Sequence, residues 1–140
     1  MSPTRDERPT TDEQIARFFT APCYAVVGAS NDMAKYGAKI FAAYLQRGLT
    51  AFPINPSQTE VQGAPAFARL ADLPQPCASV SVITPPQVTE QVVADAVAAG
   101  VENVWLQPGA ESSTAVAYAQ EKGLNVIHGG PCILVSFATL

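Results

Sequence analysis

Apolar positions fall into short unbroken runs, separated by longer stretches in which they recur at helical spacing. Cys23-Tyr24-Ala25-Val26-Val27 is one such run and ends at Gly28. Short apolar runs bounded by turn residues read as buried strands. From about Met33 to Arg47, Gly37, Ile40, Phe41, Tyr44 and Leu45 repeat at helical spacing, with Gly48 as a C-terminal cap. Thr50 to Ile54 predicts a second strand, stopped by Asn55-Pro56. Its Pro53 has no N–H, so that position must face away from a neighbouring strand. Ser57 to Pro76 reads as a loop with a short helix around Phe67 and Leu70.

The alternation continues. Ala78 to Ile83 predicts a third strand, closed by Thr84-Pro85-Pro86. A helix from about Gln87 places Val88, Val92, Val93, Ala96 and Val97 on one face and ends at Gly100. Asn103 to Leu106 is the fourth strand, with Trp105 expected in the core. Ser112 or Ser113 caps a helix that ends at Lys122-Gly123, and Asn125 to Ile127 is the fifth strand. The rest reads as a loop and a short apolar tail. Upstream, Thr10 or Thr11 with Glu13 or Gln14 forms a capping box for a helix whose apolar face is Ile15, Phe18 and Phe19. Residues 1–10 read as a disordered tail and residues 11–140 as one domain. Strands alternating with helices predict an α/β fold: a Rossmann-like doubly wound parallel sheet of about five strands, in three layers.

Composition narrows the function classes. Of 140 residues, 8 are basic and 12 acidic, a net charge of −4, which excludes a general nucleic-acid binder. The charge is unevenly placed. Between Thr20 and Thr59, Lys35, Lys39 and Arg47 face only Asp32, a net +2 inside an otherwise acidic chain. The uncharged stretch Leu73 to Thr89 is too short for a membrane span and carries four prolines. Three cysteines without a Cys-x-x-Cys motif fit a reducing cytoplasm, with Cys23 and Cys77 as small core hydrophobes. A single histidine, His128, excludes a multi-histidine metal site within one chain. His128 and Cys132 are four apart with Gly129-Gly130-Pro131 between them, which gives no helical proximity for a catalytic pair.

Ligands of such sheets bind beyond the C-terminal strand ends. The strongest signal there is Gly28-Ala29-Ser30-Asn31, a turn entering a helix, where backbone amides and the Ser30 hydroxyl can meet an anion. Lys35 and Lys39 lie one helical turn apart beside it. A bulky residue at Gly28 is expected to crowd that turn while leaving the domain folded. Gly28 also has a plain structural role open to it, as a tight turn. The Gly-x-Gly-x-x-Gly fingerprint is absent, since Ser30 and Met33 hold its second and third positions. No acidic residue ends the second strand to take a ribose diol. Both departures count against an NAD(P)-dependent oxidoreductase, the alternative reading. Thr84-Pro85-Pro86 and Gln107-Pro108-Gly109 are rigid, uncharged strand ends suited to apolar contact with a ligand.

In this order and spacing, several segments together resemble the small stand-alone CoA-binding domain proteins. They are Val26 to Ser30, Tyr36-Gly37, Pro53 to Pro56, Gly63, Leu70 to Pro74, Pro85-Pro86, Val104 to Gly109 and Gly123-Leu124. That family is related to the N-terminal domain of the succinyl-CoA synthetase alpha subunit, and the resemblance runs from Pro22 to Phe137. It implies coenzyme A laid across the strand ends. Gly28, Ala29, Ser30 and Asn31 would hold its phosphates, and Asn55 and Pro56 would lie by the nucleotide. Thr84, Pro85 and Pro86 would line the adenine or pantetheine path, with Gln107, Pro108 and Gly109 completing the wall. Where the synthetase has a lysine after its second strand, this chain has Ser57-Gln58-Thr59, so Lys35 or Lys39, with Tyr36 between them, is expected to substitute. The terminal Gly130-Pro131-Cys132 replaces an Asp-Arg-Cys of many family members. The synthetase needs a further domain, and nothing follows Leu140, so ligase chemistry by this chain alone is not expected. The expected function is binding of CoA or a short acyl-CoA in a non-catalytic or regulatory role. A homo-oligomer or an enzyme partner is compatible with it, as is a partner subunit with a vestigial nucleotide site.

Overall fold

The computed structural model describes residues 10–139. Thr10 is the N-cap of helix α1 (Thr11–Phe18). Its side chain accepts from the Glu13 amide while the Glu13 carboxylate accepts from the Thr10 amide, the reciprocal box read from the sequence. The remainder of the expected tail lies outside the described residues.

Seven strands and four further helices follow. β1 (Tyr24–Val27) leads to α2 (Tyr36–Gln46) and β2 (Ala51–Ile54). β3 (Glu60–Val61) and β4 (Ala64–Pro65) form an antiparallel hairpin. A 3-10 turn at Leu70–Asp72 precedes β5 (Ser79–Val82), α3 (Pro86–Ala98), β6 (Asn103–Leu106), α4 (Ser113–Glu121), β7 (Asn125–Ile127) and α5 (Ile133–Thr139). β1, β2, β5, β6 and β7 make a five-stranded sheet in the order β2-β1-β5-β6-β7, and every pairing in it is parallel. This is a doubly wound Rossmann-like α/β fold, and its strand order reverses between β1 and β5.

Strand alternation sorts the core into two layers. Ala25, Val27, Val80, Val82, Val104 and Leu106 pack against α3 and α4 through Val92, Val93, Ala96, Ala115 and Ala119. Tyr24, Val26, Trp105 and Ile127 pack on the other face with Phe18, Ile40, Phe41, Tyr44 and Phe137 from α1, α2 and α5. Trp105 is buried and its ring edge meets Phe18, as a core residue should.

The strand starts on the α1 side are tied by polar side chains. Ser79, Asn103 and Asn125 are cross-strand neighbours. Asn125 Nδ2 donates to Asn103 Oδ1, Asn103 Nδ2 donates to Ser79 Oγ, and Ser79 donates to the Phe18 carbonyl. Asn125 also donates to the Gln14 carbonyl, while Gln14 Nε2 donates to that of Val126. Each of these buried groups has its partner, which avoids the cost of an unmet hydrogen bond.

Several expectations are corrected. The helix predicted from Met33 starts at Tyr36, with Lys35 as its N-cap. The apolar tail is the helix α5, whose Phe137 is buried against Tyr44. The segment read as a loop after Ser57 contains the β3–β4 hairpin, built on Gln62 (φ 51°) and Gly63 (φ 83°). Two consecutive positive φ values are the signature of a tight two-residue hairpin turn. Pro53 behaves as expected. β2 is an edge strand, and the Pro53 carbonyl points outward to accept from the Phe67 amide.

Candidate functional site

The reversal of strand order opens a crevice between the C-terminal ends of β1 and β5. Gly28 sets its floor. It has φ +98°, and a Cβ there would lie 2.0 Å from the Ile83 carbonyl oxygen. Gly37, in the first turn of α2, is held as closely: its Cβ would meet the Gly28 oxygen at 1.9 Å. Both conflicts are with main chain, so neither is relieved by turning a side chain. A bulky residue at Gly28 therefore disturbs the fold as well as the turn, contrary to the sequence expectation. The Gly28 amide is also committed, donating to the Ile54 carbonyl at 3.1 Å.

The loop after Gly28 is held from behind. Asn31 Nδ2 donates to the Glu60 carbonyl and Asn31 Oδ1 accepts from the Gln62 amide. Gln62 Nε2 donates to the carbonyls of Ser30 and Ala38. Asn55 Nδ2 donates to the Ala29 carbonyl, while Asn55 Oδ1 accepts from Ser57. Asn31 and Asn55 thus spend their amides on the frame of the loop. Ser30 Oγ accepts from the Asp32 amide, which leaves its own proton to donate. Ala29 is buried.

The entry to α2 is different. No side chain caps it, and its first turn holds no acidic residue. An uncapped N-terminus presents unpaired amides and a positive dipole end. Lys35, Tyr36 and Lys39 are exposed there, with Lys39 Nζ 5.4 Å from the centre of the Tyr36 ring. A cation over an aromatic face is an attractive pair.

Gly28, which Gly37 at this entry abuts, also lines a mainly apolar cleft of about 370 Å³. Val27, Gly28, Ile54, Asn55, Pro56 and Thr84 line it from the sheet side, and Val88 and Val92 from α3. Arg69 and Asp95 stand at its rim, paired at 2.9 Å. A second hollow of about 270 Å³ adjoins it and is lined by Ile83, Thr84, Pro85, Pro108, Gly109 and Ala110. Thr84 borders both, and its hydroxyl is 2.7 Å from that of buried Thr89. The structure therefore brings Gly28, Asn55, Pro56, Thr84, Pro85, Pro108 and Gly109 to one end of the sheet around two hollows that share Thr84. Ala29, Ser30, Asn31, Lys35, Tyr36, Lys39 and Pro86 line neither hollow. Gln107 is turned inward: its Oε1 accepts from the Ile133 amide at the start of α5, and its buried Nε2 has no partner among the described residues.

Sequence reasoning missed three contributors. Gln62 carries the hairpin onto the loop; the only signal for it is the Gln62-Gly63 pair between short extended segments. Glu111 bridges two loops, accepting from the amides of Gly109 and Gly129 at 3.1 Å each. Arg69–Asp95 joins the 3-10 region to α3, and nothing in local sequence announces a contact across that distance. His128 is exposed and Cys132 half-buried, with no hydrogen bond between them. Among the described residues, no cluster of metal-ligating side chains is present and no helix is long and apolar enough to cross a membrane.

Comparison with known proteins finds relatives that share the fold. Of the acetate–CoA ligase (ADP-forming) II subunit alpha of Pyrococcus furiosus, 88 residues align at 30% identity, covering 62% of this chain. The chain spans about a fifth (19%) of that relative. A conserved hypothetical protein from Pyrococcus furiosus has a similar structure, with a TM-score of 0.76 and 35% identity over 81% of this chain and 97% of its own. The dinucleotide-forming acetyl-coenzyme A synthetase 1 of Ca. Korarchaeum cryptofilum, in complex with phosphate and ADP, matches with a TM-score of 0.73 and 27% identity. That match covers 81% of this chain and 27% of the synthetase. The pattern of a family described as a CoA binding domain matches residues 23–138, which take in the whole five-stranded sheet and every helix after α1 but for the last residue of α5, and the chain belongs to that family.

Proposed function

We propose that this protein binds coenzyme A or a short acyl-CoA across the C-terminal strand ends and holds it without transforming it. The observation that carries the reading is the juxtaposition of an apolar cleft with the uncapped, lysine-flanked start of α2. A nucleotide thiol ester carrier has both halves of that chemistry: an apolar or aromatic body and a cluster of phosphates. The pyrophosphate is assigned to the Ser30 hydroxyl, the amides at the start of α2, and Lys35 and Lys39. The adenosine is assigned to the cleft between Ile54, Pro56 and Val88, and the pantetheine arm to the hollow between Thr84-Pro85 and Pro108-Gly109. Asn31 and Asn55 act as positioning residues for the loop, and so does Gln62.

A binding rather than catalytic role is favoured by the lining. The hollows present mainly Thr, Pro, Gly and aliphatic groups, and their charged residues, Arg69 and Asp95, are paired with each other. The similarity to a ligase alpha subunit favours an enzyme partner to which this chain delivers its ligand.

Thermal melts with CoA, acetyl-CoA, dephospho-CoA, NAD and NADP test the reading. A ligand that binds only the folded state adds about 2.7 kcal/mol at a hundredfold excess over its Kd. CoA or acetyl-CoA should raise the Tm, and NAD and NADP should not. No shift with either CoA form at millimolar concentration contradicts the proposal, as does a shift with NAD alone.

A further inference from the structure

The other end of the β1/β5 pair holds two thiols that the ligand site does not use. Cys23, just before β1, and Cys77, two residues before β5, lie with their sulfurs 2.9 Å apart. Both are buried among core aliphatics, while Cys132, the third free cysteine, sits before α5 at the opposite end of the sheet. A disulfide has an S–S distance of about 2.0 Å, so the sulfurs need to close by only ~0.9 Å. Sγ of Cys23 is 3.4 Å from the Pro76 carbonyl oxygen, and that of Cys77 is 4.0 Å from the Gln75 oxygen. Gln75 and Pro76 in turn line a surface cavity of about 420 Å³ with Leu73, Pro74 and Ala98. Only one short proline-rich segment therefore separates the pair from an open hollow.

We propose that Cys23 and Cys77 are an intrachain disulfide site, closed by hydrogen peroxide. One thiol sulfur attacks the peroxide: an S–O bond forms, the O–O bond breaks, and the departing oxygen leaves as water with the thiol proton. The second sulfur then attacks this sulfenic acid. The S–S bond forms, the S–O bond breaks, and the oxygen leaves as a second water with the remaining thiol proton. Two thiols are oxidised by two electrons and one peroxide is reduced to two waters. Burial, with Cys23 as hydrogen-bond partner, pushes the Cys77 thiol far up. A raised pKa keeps this thiol protonated and slows its own attack. The linked residues are 54 apart in sequence. The closed loop contains the Gly28–Asn31 turn, α2, β2 and the hairpin, so the crosslink ties both ends of the lysine-bearing half of the site to neighbouring strands.

The test uses the wild-type protein treated with hydrogen peroxide, quenched with catalase, then unfolded and alkylated. Intact mass should fall by two hydrogens before alkylation, and the count of alkylated thiols should fall from three to one. A Cys23–Cys77 crosslinked peptide should appear, the product should remain a single chain, and dithiothreitol should reverse both changes. The Tm of the oxidised form should exceed that of the reduced form, because a crosslink restricts the unfolded chain. Cys132→Ser should behave identically but end with no alkylated thiol. Three alkylated thiols after treatment overturn the proposal. So does a crosslink that involves Cys132, or accumulation of sulfinic acid at Cys23 or Cys77 in place of the crosslinked peptide.

Discussion

The two ends of the same parallel strands are built on opposite plans. At the start of β5, β6 and β7, Ser79, Asn103 and Asn125 satisfy one another and hold the carbonyls of Phe18 and Gln14. At the far end of β1 and β5, a helix begins without a cap, two lysines stand in solvent, and the hollows between loops are lined by prolines and aliphatics. One end closes its polar groups internally and so contributes stability. The other leaves donors and charge for a partner from outside. Loops at the strand ends carry the difference, since β1, β5 and β6 are equally buried at both ends.

Substitutions can break this comparison, and the largest effect is expected where the open end is bolted to the fold. Gly37→Ala drives a Cβ into the Gly28 oxygen. It should cost about 3 kcal/mol or more in urea unfolding, with binding of CoA lost in parallel. An unchanged urea midpoint would show that α2 does not need this approach. Asn103→Ala at the closed end removes the centre of the polar ladder. It should cost about 1–3 kcal/mol, because two buried groups lose a partner. Its CoA affinity, measured by calorimetry below its Tm, should stay at the wild-type value. A weakened affinity would mean that the two ends are coupled.

Gln62→Ala lies between these cases. It removes two hydrogen bonds that hold the loop, at a cost of about 1–2 kcal/mol, and should weaken CoA more than an equally destabilising change at Asn103. Equal losses at the two positions would make Gln62 merely structural. Lys35→Ala with Lys39→Ala should leave stability within about 0.5 kcal/mol, since both are exposed. CoA affinity should fall about tenfold, or ~1.4 kcal/mol, and lose part of its salt dependence. Titrations at two salt concentrations read this directly.

The smallest effect concerns the α1 cap. The Glu13 carboxyl is held below its usual range by hydrogen bonds from the Thr10 backbone and side chain. Its contribution is complete above the ordinary carboxylate range and fades as pH falls through the lowered folded value. Thr10→Ala should lower the Tm slightly at neutral pH, and that gap should narrow in acid. A gap that widens in acid would contradict the sign.

Much of this was legible in the sequence for physical reasons. Strands such as Tyr24–Val27 and Asn103–Leu106 are apolar because both faces of a parallel sheet are covered. The Thr10 box, the Gly28 turn and the outward Pro53 follow from local geometry. The hairpin was hidden because Gln62, at φ 51°, is an unusual residue for a positive φ. α5 was hidden because its seven residues gain their order from packing Phe137 on Tyr44. The inward turn of Gln107, and the framing by Asn31 and Asn55, depend on partners 26 to 31 residues away, which no local pattern encodes.

The most direct test of the account is a map of backbone amide chemical shifts while the protein is titrated with CoA. Perturbations should concentrate at the amides of Ser30, Tyr36, Gly37, Asn55, Ser57, Thr84 and Gly109, with Phe18, Ser79, Asn103 and Asn125 unmoved. Shifts centred on those last four residues, or no shifts at all at saturating CoA, would contradict a ligand site at the open end of the sheet.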